Sequence, residues 1–98
     1  MTADLTPPEN LMQLVGSEDA AHYRAIGEQF FNIFVRYGRI KPTDRVLDVG
    51  CGSGRTAVPL TRYLTTGSYE GFDISPDAII WCQNNITKQF PNFKRSLL

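Results

Sequence analysis

Residues 46–54 read Val-Leu-Asp-Val-Gly-Cys-Gly-Ser-Gly, and the fold of the chain can be inferred from them. A short apolar run, broken by the acid Asp48, leads directly into three glycines at alternate positions. Such a run predicts a buried strand, and glycines allow a tight turn with bare backbone. A second apolar segment ends at another acid, Asp73, about 20 residues further on, as in a nucleotide-binding βαβ unit.

The glycine pattern leaves two classes of nucleotide open. Gly52, Gly54 and Ala57 satisfy the G-x-G-x-x-G/A fingerprint of dinucleotide-binding proteins, in which Asp73 would hold a ribose. A fragment of an NAD-dependent Rossmann oxidoreductase is therefore one alternative. Asp48 argues against it, because a carboxylate at the strand end repels a pyrophosphate but attracts a ligand with a cationic amino group.

The same stretch resembles the first motif of class I S-adenosylmethionine-dependent methyltransferases, which runs apolar-apolar-acid-apolar-Gly-x-Gly-x-Gly. Each fixed position of the motif is matched, by Val46, Leu47, Asp48, Val49, Gly50, Gly52 and Gly54. The resemblance extends to Asp73 and covers roughly residues 20 to 90. It implies S-adenosyl-L-methionine as the cofactor and methyl transfer as the activity.

The resemblance also implies a cofactor site, which would consist of Asp48, Gly50, Cys51, Gly52, Ser53, Gly54, Asp73 and Ile74. The glycine loop would hold the methionine and ribose portion, and Asp73 would bind both ribose hydroxyls. Loop amides and the cofactor's amino group would be the partners of Asp48. Ile74 lies either on the adenine face or in ordinary packing. Cys51 is interpreted as a small filler, since free cysteine usually behaves as a small hydrophobe.

No residue is assigned a catalytic role. Methyl transfer from a sulfonium depends mainly on alignment of the reacting groups, and the resembled family has no universal catalytic residue. The segments that select the methyl acceptor follow the fourth strand in this family. We therefore do not expect these 98 residues alone to turn over substrate.

The bulk properties exclude several classes of protein. Ten basic and ten acidic residues leave no net charge, which argues against a nucleic-acid footprint over the whole surface. No apolar run reaches the ~20 residues that cross a bilayer, and the N-terminus lacks the features of a secretory signal. Cys51 and Cys82 are the only cysteines and form no CxxC pair, so we expect no metal site and a cytoplasmic location.

The chain divides into an N-terminal helical segment, residues 1–40, and the first part of a Rossmann-like domain, residues 41–98. Thr6 is expected to cap a first helix with Pro7 at its first position and Glu9 closing a capping box. Ser17 to Asp19 is expected to open a second helix. Its apolar stripe has helical spacing and comprises Tyr23, Ile26, Phe30, Ile33, Phe34 and Tyr37.

The remaining elements alternate between strand and helix. We predict strands over 45–49 and 69–73 and a helix over 56–64 between them. Ser75 is predicted to cap the next helix with Pro76 at its first position, and a third strand begins near Phe93. This order predicts an α/β fold: a Rossmann-like parallel sheet with helices on both faces, truncated after about three strands and preceded by N-terminal helices.

The preferred function is S-adenosylmethionine-dependent methyl transfer, with a small-molecule acceptor favoured by the absence of basic runs. A non-catalytic, truncated binding module is a further alternative. In the resembled family a fourth strand pairs beside the first, so its absence would leave an open sheet edge. Such an edge favours self-association.

Overall fold

A computed structural model describes residues 5–17 and 19–98 of the chain. Residues 1–4 and Glu18, which belong to the predicted N-terminal segment and second helix start, lie outside the described residues. The elements, in chain order, are α1 (Glu9–Gln13), α2 (Ala20–Arg36), β1 (Arg45–Val49), α3 (Ala57–Leu60), β2 (Ser68–Asp73), α4 (Pro76–Cys82) with a π-helical turn (Gln83–Thr87), and β3 (Phe93–Leu97). None of the described helices is long and apolar enough to cross a membrane.

The three strands form one parallel sheet in the order β1-β2-β3, which confirms the predicted α/β, Rossmann-like fold. The register pairs Asp48 with Gly71, and Asp73 with Leu97. Because parallel strands end at the same side of the sheet, this register brings the ends of β1 and β2 together. In the described part of the chain β1 pairs with β2 alone, so its other edge is open.

The described helices cover one face of the sheet, whereas the prediction placed helices on both faces. Val46 and Asp48 of β1 are partly buried, but the alternate residues Leu47 and Val49 are 64% and 70% exposed. On the covered face the core is made of large buried side chains, namely Leu60, Leu64, Tyr69, Cys82, Ile86 and Phe93. A single layer of helices therefore supports the strand ends.

The start of α1 differs from the prediction. The helix begins at Glu9 with Pro8 as its N-cap, and no side chain caps it. Thr6, the predicted cap, instead accepts a hydrogen bond from Nη1 of Arg24 in α2, at 3.1 Å. A proline disfavours the helical region at the residue before it, so Pro8 keeps Pro7 out of the helix and the helix begins at Glu9.

Helix α2 begins as expected near Asp19, whose carboxylate accepts a hydrogen bond from the amide of His22 at 2.7 Å. Tyr23 is buried, but Ile33 and Tyr37 at the far end of the predicted apolar stripe are 48% and 74% exposed. Gly27 lies so close to the backbone oxygen of Arg55 that no side chain fits between them. The first half of α2 is thereby held against the segment that follows the glycine loop.

Helix α3 is shorter than the predicted 56–64 and ends at Leu60. Pro59 has no N–H, and the hydroxyl of Thr61 donates to the carbonyl oxygen of Val58 at 2.6 Å. The chain continues in tight turns, in which the amide of Tyr63 donates to the carbonyl of Leu60. Pro59 lies in the first turn, where a missing N–H breaks no helical bond. The regular helix stops where the amide and the hydroxyl of Thr61 both donate to the carbonyl oxygen of Val58.

Candidate functional site

The glycine loop follows β1 and carries positive φ angles at Gly50, Gly52 and Gly54, of 75°, 57° and 93°. These are left-handed conformations that other residues rarely adopt. The amides of Gly50 and Cys51 both donate to the carbonyl oxygen of Phe72, at 2.9 and 3.1 Å. The loop is thus tied to the end of β2 and folds back over the sheet.

Asp48 is held by hydroxyl groups and not by the loop amides that the sequence led us to expect. Its Oδ2 accepts hydrogen bonds from the Tyr69 hydroxyl, at 2.5 Å, and from the Thr56 hydroxyl, at 3.1 Å. Burial raises the pKa of Tyr69 far above its usual range. Arg95 lowers this pKa and the nearby Asp48 raises it, but burial is the largest effect, so the phenol stays protonated and donates. Neither of these two bonds uses Oδ1, which therefore has room for a further donor among the residues that the structure describes.

Asp73 joins the glycine loop to the start of α4. Its Oδ2 accepts a hydrogen bond from the Gly52 amide and its Oδ1 accepts one from the Ser75 amide, both at 2.9 Å. Ser75 caps α4 as predicted, with its hydroxyl oxygen accepting from the Ala78 amide at 3.4 Å. A carboxylate oxygen accepts about two bonds, so Asp73 retains acceptor capacity on both oxygens.

The side chains between the loop glycines point inward. Ser53 is 2% exposed, and its hydroxyl is hydrogen-bonded to the Tyr23 hydroxyl at 2.8 Å. Cys51 is 6% exposed and fills the space beside Gly71, where an added Cβ would lie 2.8 Å from the Cβ of Cys51. Burial raises the pKa of the Cys51 thiol and brings that of Cys82 to about 12. Both thiols therefore suit packing and not nucleophilic attack.

The Tyr23–Ser53 hydrogen bond is the buried polar link between α2 and the glycine loop, and we expect it to be measurable in a double-mutant cycle. Burial raises the pKa of Tyr23 to about 12, so the bond persists throughout the neutral range. Tyr23→Phe and Ser53→Ala each leave one buried hydroxyl unpaired, whereas the double variant removes both. Urea unfolding should give a coupling energy of about 1 kcal/mol. Additive effects would show that the bond stabilises nothing.

The outward surface of the loop is bare backbone. A Cβ added at Gly50 would meet nothing within 4 Å, and one at Gly52 would meet only Cγ1 of Val15, at 3.7 Å. Ile74, directly after Asp73, is 76% exposed, so it does not take part in core packing. An adjoining cavity of about 160 Å³ is lined by Val15, Phe30, Phe34, Asp48, Gly50, Cys51, Ser53, Arg55 and Thr56.

The predicted site residues thus fall into two groups. Asp48, Asp73, Ile74 and the backbone of the loop glycines converge where the two strands end, and the Cys51 and Ser53 side chains face the interior. Bare loop backbone, carboxylate oxygens with spare acceptor capacity and an exposed apolar side chain fit the donors and surfaces of a nucleoside ligand.

Sequence reasoning missed Tyr69 and Thr56, which orient Asp48. A signal for Tyr69 was present, because the two-residue alternation of β2 puts Tyr69 and Gly71 on the same face as Asp48. Gly71 leaves the necessary space, since a Cβ there would lie 3.0 Å from the Tyr69 hydroxyl oxygen. Thr56 gave no comparable signal, because its position depends on where the loop turns into α3.

Three solved structures share the fold at low sequence identity. A coclaurine N-methyltransferase bound to N-methylheliamine and SAH aligns with a TM-score of 0.64 and 15% identity, over 74% of this chain and 22% of its own. The MccD protein aligns with a TM-score of 0.59 and 23% identity, over 69% of this chain and 30% of its own. YjhP from E. coli aligns with a TM-score of 0.54 and 21% identity, over 82% of this chain and 30% of its own. The chain thus spans less than a third of the length of each of these proteins.

The sequence of the chain identifies its family more specifically than the shared fold does. The family described as "Methyltransferase domain" matches residues 40–95, which is more than half of the chain. The matched segment contains β1, the glycine loop, both acids and most of β3. The chain therefore belongs to the methyltransferase domain family.

Proposed function

We propose that this chain supplies the S-adenosylmethionine-binding part of a methyltransferase that acts on a small molecule. The observation that carries the proposal is the pair of acids at the ends of β1 and β2, which flank a loop with bare outward backbone. We also propose that residues 41–98 form the cofactor-binding unit, with residues 1–40 as an accessory helical segment. Two buried free cysteines support a reducing, cytoplasmic setting.

The proposed contacts follow from the acceptor atoms that remain. Asp73 would accept hydrogen bonds from the two ribose hydroxyls, and its spare lone pairs favour this role. The unused Oδ1 of Asp48 would accept from the cofactor's amino group. Ile74 would cover an adenine face, and the bare backbone at Gly50 and Gly52 would take the methionine and ribose portion.

A dinucleotide fits this loop less well. A pyrophosphate needs free backbone N–H groups at the loop and the following helix. Here the amides of Gly50, Cys51, Gly52 and Gly54 already donate to Phe72, Asp73 and Cys51. Helix α3 is also only four residues long, so it offers little dipole. The carboxylates of Asp48 and Asp73 would further repel the phosphates.

The bound cofactor would supply a methyl group on a positively charged sulfur, which is reactive without activation by the protein. The residues of this chain would bind and orient it, and positioning of that kind provides most of the rate enhancement. No step of this kind requires a residue of this chain to move a proton, so we assign no catalytic residue. One similar structure holds N-methylheliamine, in line with a small-molecule acceptor here.

Calorimetric titration with S-adenosylmethionine, S-adenosylhomocysteine and NAD tests the proposal. We expect the two sulfur compounds to bind and NAD to give no heat of binding. Binding of NAD alone would replace the proposal with the oxidoreductase alternative. If none of the three binds, the chain does not hold a cofactor by itself.

The open edge of β1 favours a second role, association through the sheet. Leu47 and Val49 are exposed beside this edge, and unpaired strand edges readily pair with other chains. Sedimentation velocity across a range of protein concentrations distinguishes a chain that associates through this edge from one that stays monomeric. Reversible dimers or larger species support association through the edge, and a single monomeric species at all concentrations argues against it.

A further inference from the structure

Arg95 is a buried cation directly beneath the glycine loop. It lies in the middle of β3, is 5% exposed, and has its Nε and Nη2 atoms buried without a hydrogen-bond partner in the described structure. Within residues 5–17 and 19–98 the Arg62–Glu28 pair is the one salt bridge, so Arg95 has no carboxylate partner there. A buried guanidinium without an ion pair is costly, and its retention calls for an explanation.

One line of contacts runs from Arg95 to Asp48. The guanidinium carbon lies 4.7 Å from the ring centroid of Tyr69, within the range of a cation–π interaction. The Tyr69 ring is also stacked on Phe93, with centroids 5.1 Å apart. These contacts fix the plane of the ring, and the hydroxyl at its end donates to Oδ2 of Asp48.

A second line runs from Arg95 to Asp73. Nη1 of Arg95 donates to Sγ of Cys82 at 3.0 Å, and that Sγ lies in donor position 3.5 Å from the carbonyl oxygen of Gly52. The amide of Gly52 in turn donates to Oδ2 of Asp73. A Cβ at Gly54 would lie 3.2 Å from Nη2 of Arg95, so the loop rests directly on the guanidinium.

We propose that Arg95 is a positioning residue of the cofactor site, setting the orientation of Asp48 through Tyr69 and that of Asp73 through Cys82 and Gly52. The inference rests on the proposed function, since it assigns a role in that same site. Arg95 does not contact the cofactor in this scheme.

Amide hydrogen exchange of the full chain, measured by NMR without cofactor, tests the positioning role directly. We compare Arg95→Met, which removes the charge and the donors, with Lys94→Met, a matched change at the exposed neighbour on β3. In Arg95→Met we expect the Gly52 amide to lose at least about tenfold more protection than the amide of buried Leu64, which donates to the carbonyl oxygen of Leu60 at 2.9 Å. Equal loss at both amides would mean a global structural role and would overturn the proposal.

Calorimetry with S-adenosylhomocysteine provides the functional measurement. Arg95→Met should weaken binding at least about tenfold, and Lys94→Met should change it less than about threefold. Arg95→Lys should recover part of the affinity, because it keeps the charge over the Tyr69 ring. Unchanged affinity in Arg95→Met would contradict the proposal.

Two milder variants keep the proposal testable if Arg95→Met does not fold. Tyr69→Phe keeps the ring but removes the bond to Asp48, and Cys82→Ala breaks the contact with Gly52. Each should weaken binding of S-adenosylhomocysteine, and unchanged affinity in both would overturn the proposal. If the unaltered chain binds no cofactor, the proposed function fails, and the exchange data still decide whether Arg95 holds the loop.

Discussion

Replacing Asp73 with alanine is expected to lower the affinity for S-adenosylmethionine and S-adenosylhomocysteine by about 100-fold or more. Hydrogen bonds to a charged group contribute about 1.5–3 kcal/mol each. Loss of two such bonds to the ribose, discounted for partial exposure of the site, amounts to about 3 kcal/mol, or roughly two decades in Kd. The variant also leaves the Gly52 amide without its acceptor, which loosens the loop.

Asp77→Ala is the matched control for this experiment. Asp77 is an exposed acid in the first turn of α4, four residues from Asp73, so its removal changes the net charge equally. We expect it to change the affinity less than about threefold. Asp73→Asn should lie between the two, because the amide keeps one acceptor oxygen. Equal losses in Asp73→Ala and Asp77→Ala would show that only general electrostatics is involved.

Gly54→Ala is expected to destabilise the fold by about 2–5 kcal/mol, a large fraction of the stability of a domain of this size. A left-handed conformation costs a residue with a Cβ roughly 1–2 kcal/mol. The added methyl would also lie 2.6 Å from Cδ1 of Ile86, which is fully buried and cannot turn toward solvent. Repacking of such a contact costs about another 1–3 kcal/mol.

Gly50→Ala separates these two contributions. Gly50 has a similar positive φ, of 75°, but an added Cβ there meets nothing within 4 Å. We expect this variant to lose only about 1–2 kcal/mol. Urea unfolding followed by circular dichroism measures both. If the two variants lose the same stability, close packing under Gly54 contributes nothing and backbone strain alone explains the loss.

Several features of the fold follow from local sequence patterns. The bounds of β1, the sharp turn after it and the start of α4 at Ser75 and Pro76 agree with the prediction. For the helix start the decisive interaction is local, since the Ser75 hydroxyl accepts from the amide three residues ahead. The arrival of two acids at neighbouring strand ends also follows, because parallel strands end at the same side of a sheet.

Local patterns misled in three respects. Helix α1 begins at Glu9 and not at Pro7, because Pro8 is extended and disfavours a helical conformation at Pro7. The length of α3 was overestimated because its apolar pattern continues past Leu60, where hydrogen bonding already departs from the helix. Coverage of both faces was predicted from the order of elements, but that order does not specify on which face a helix packs.

The sequence by itself determined the parallel α/β order, the glycine loop and the two acids beside it, since these depend on strand periodicity, backbone freedom and chain direction. Only the tertiary structure decided that Tyr69 and Thr56 hold Asp48, that Ser53 faces Tyr23, and that Arg95 lies beneath the loop. These contacts join residues 8 to 30 positions apart or lie across the sheet. They depend on strand register and on how α2 and α4 pack, which no local pattern encodes.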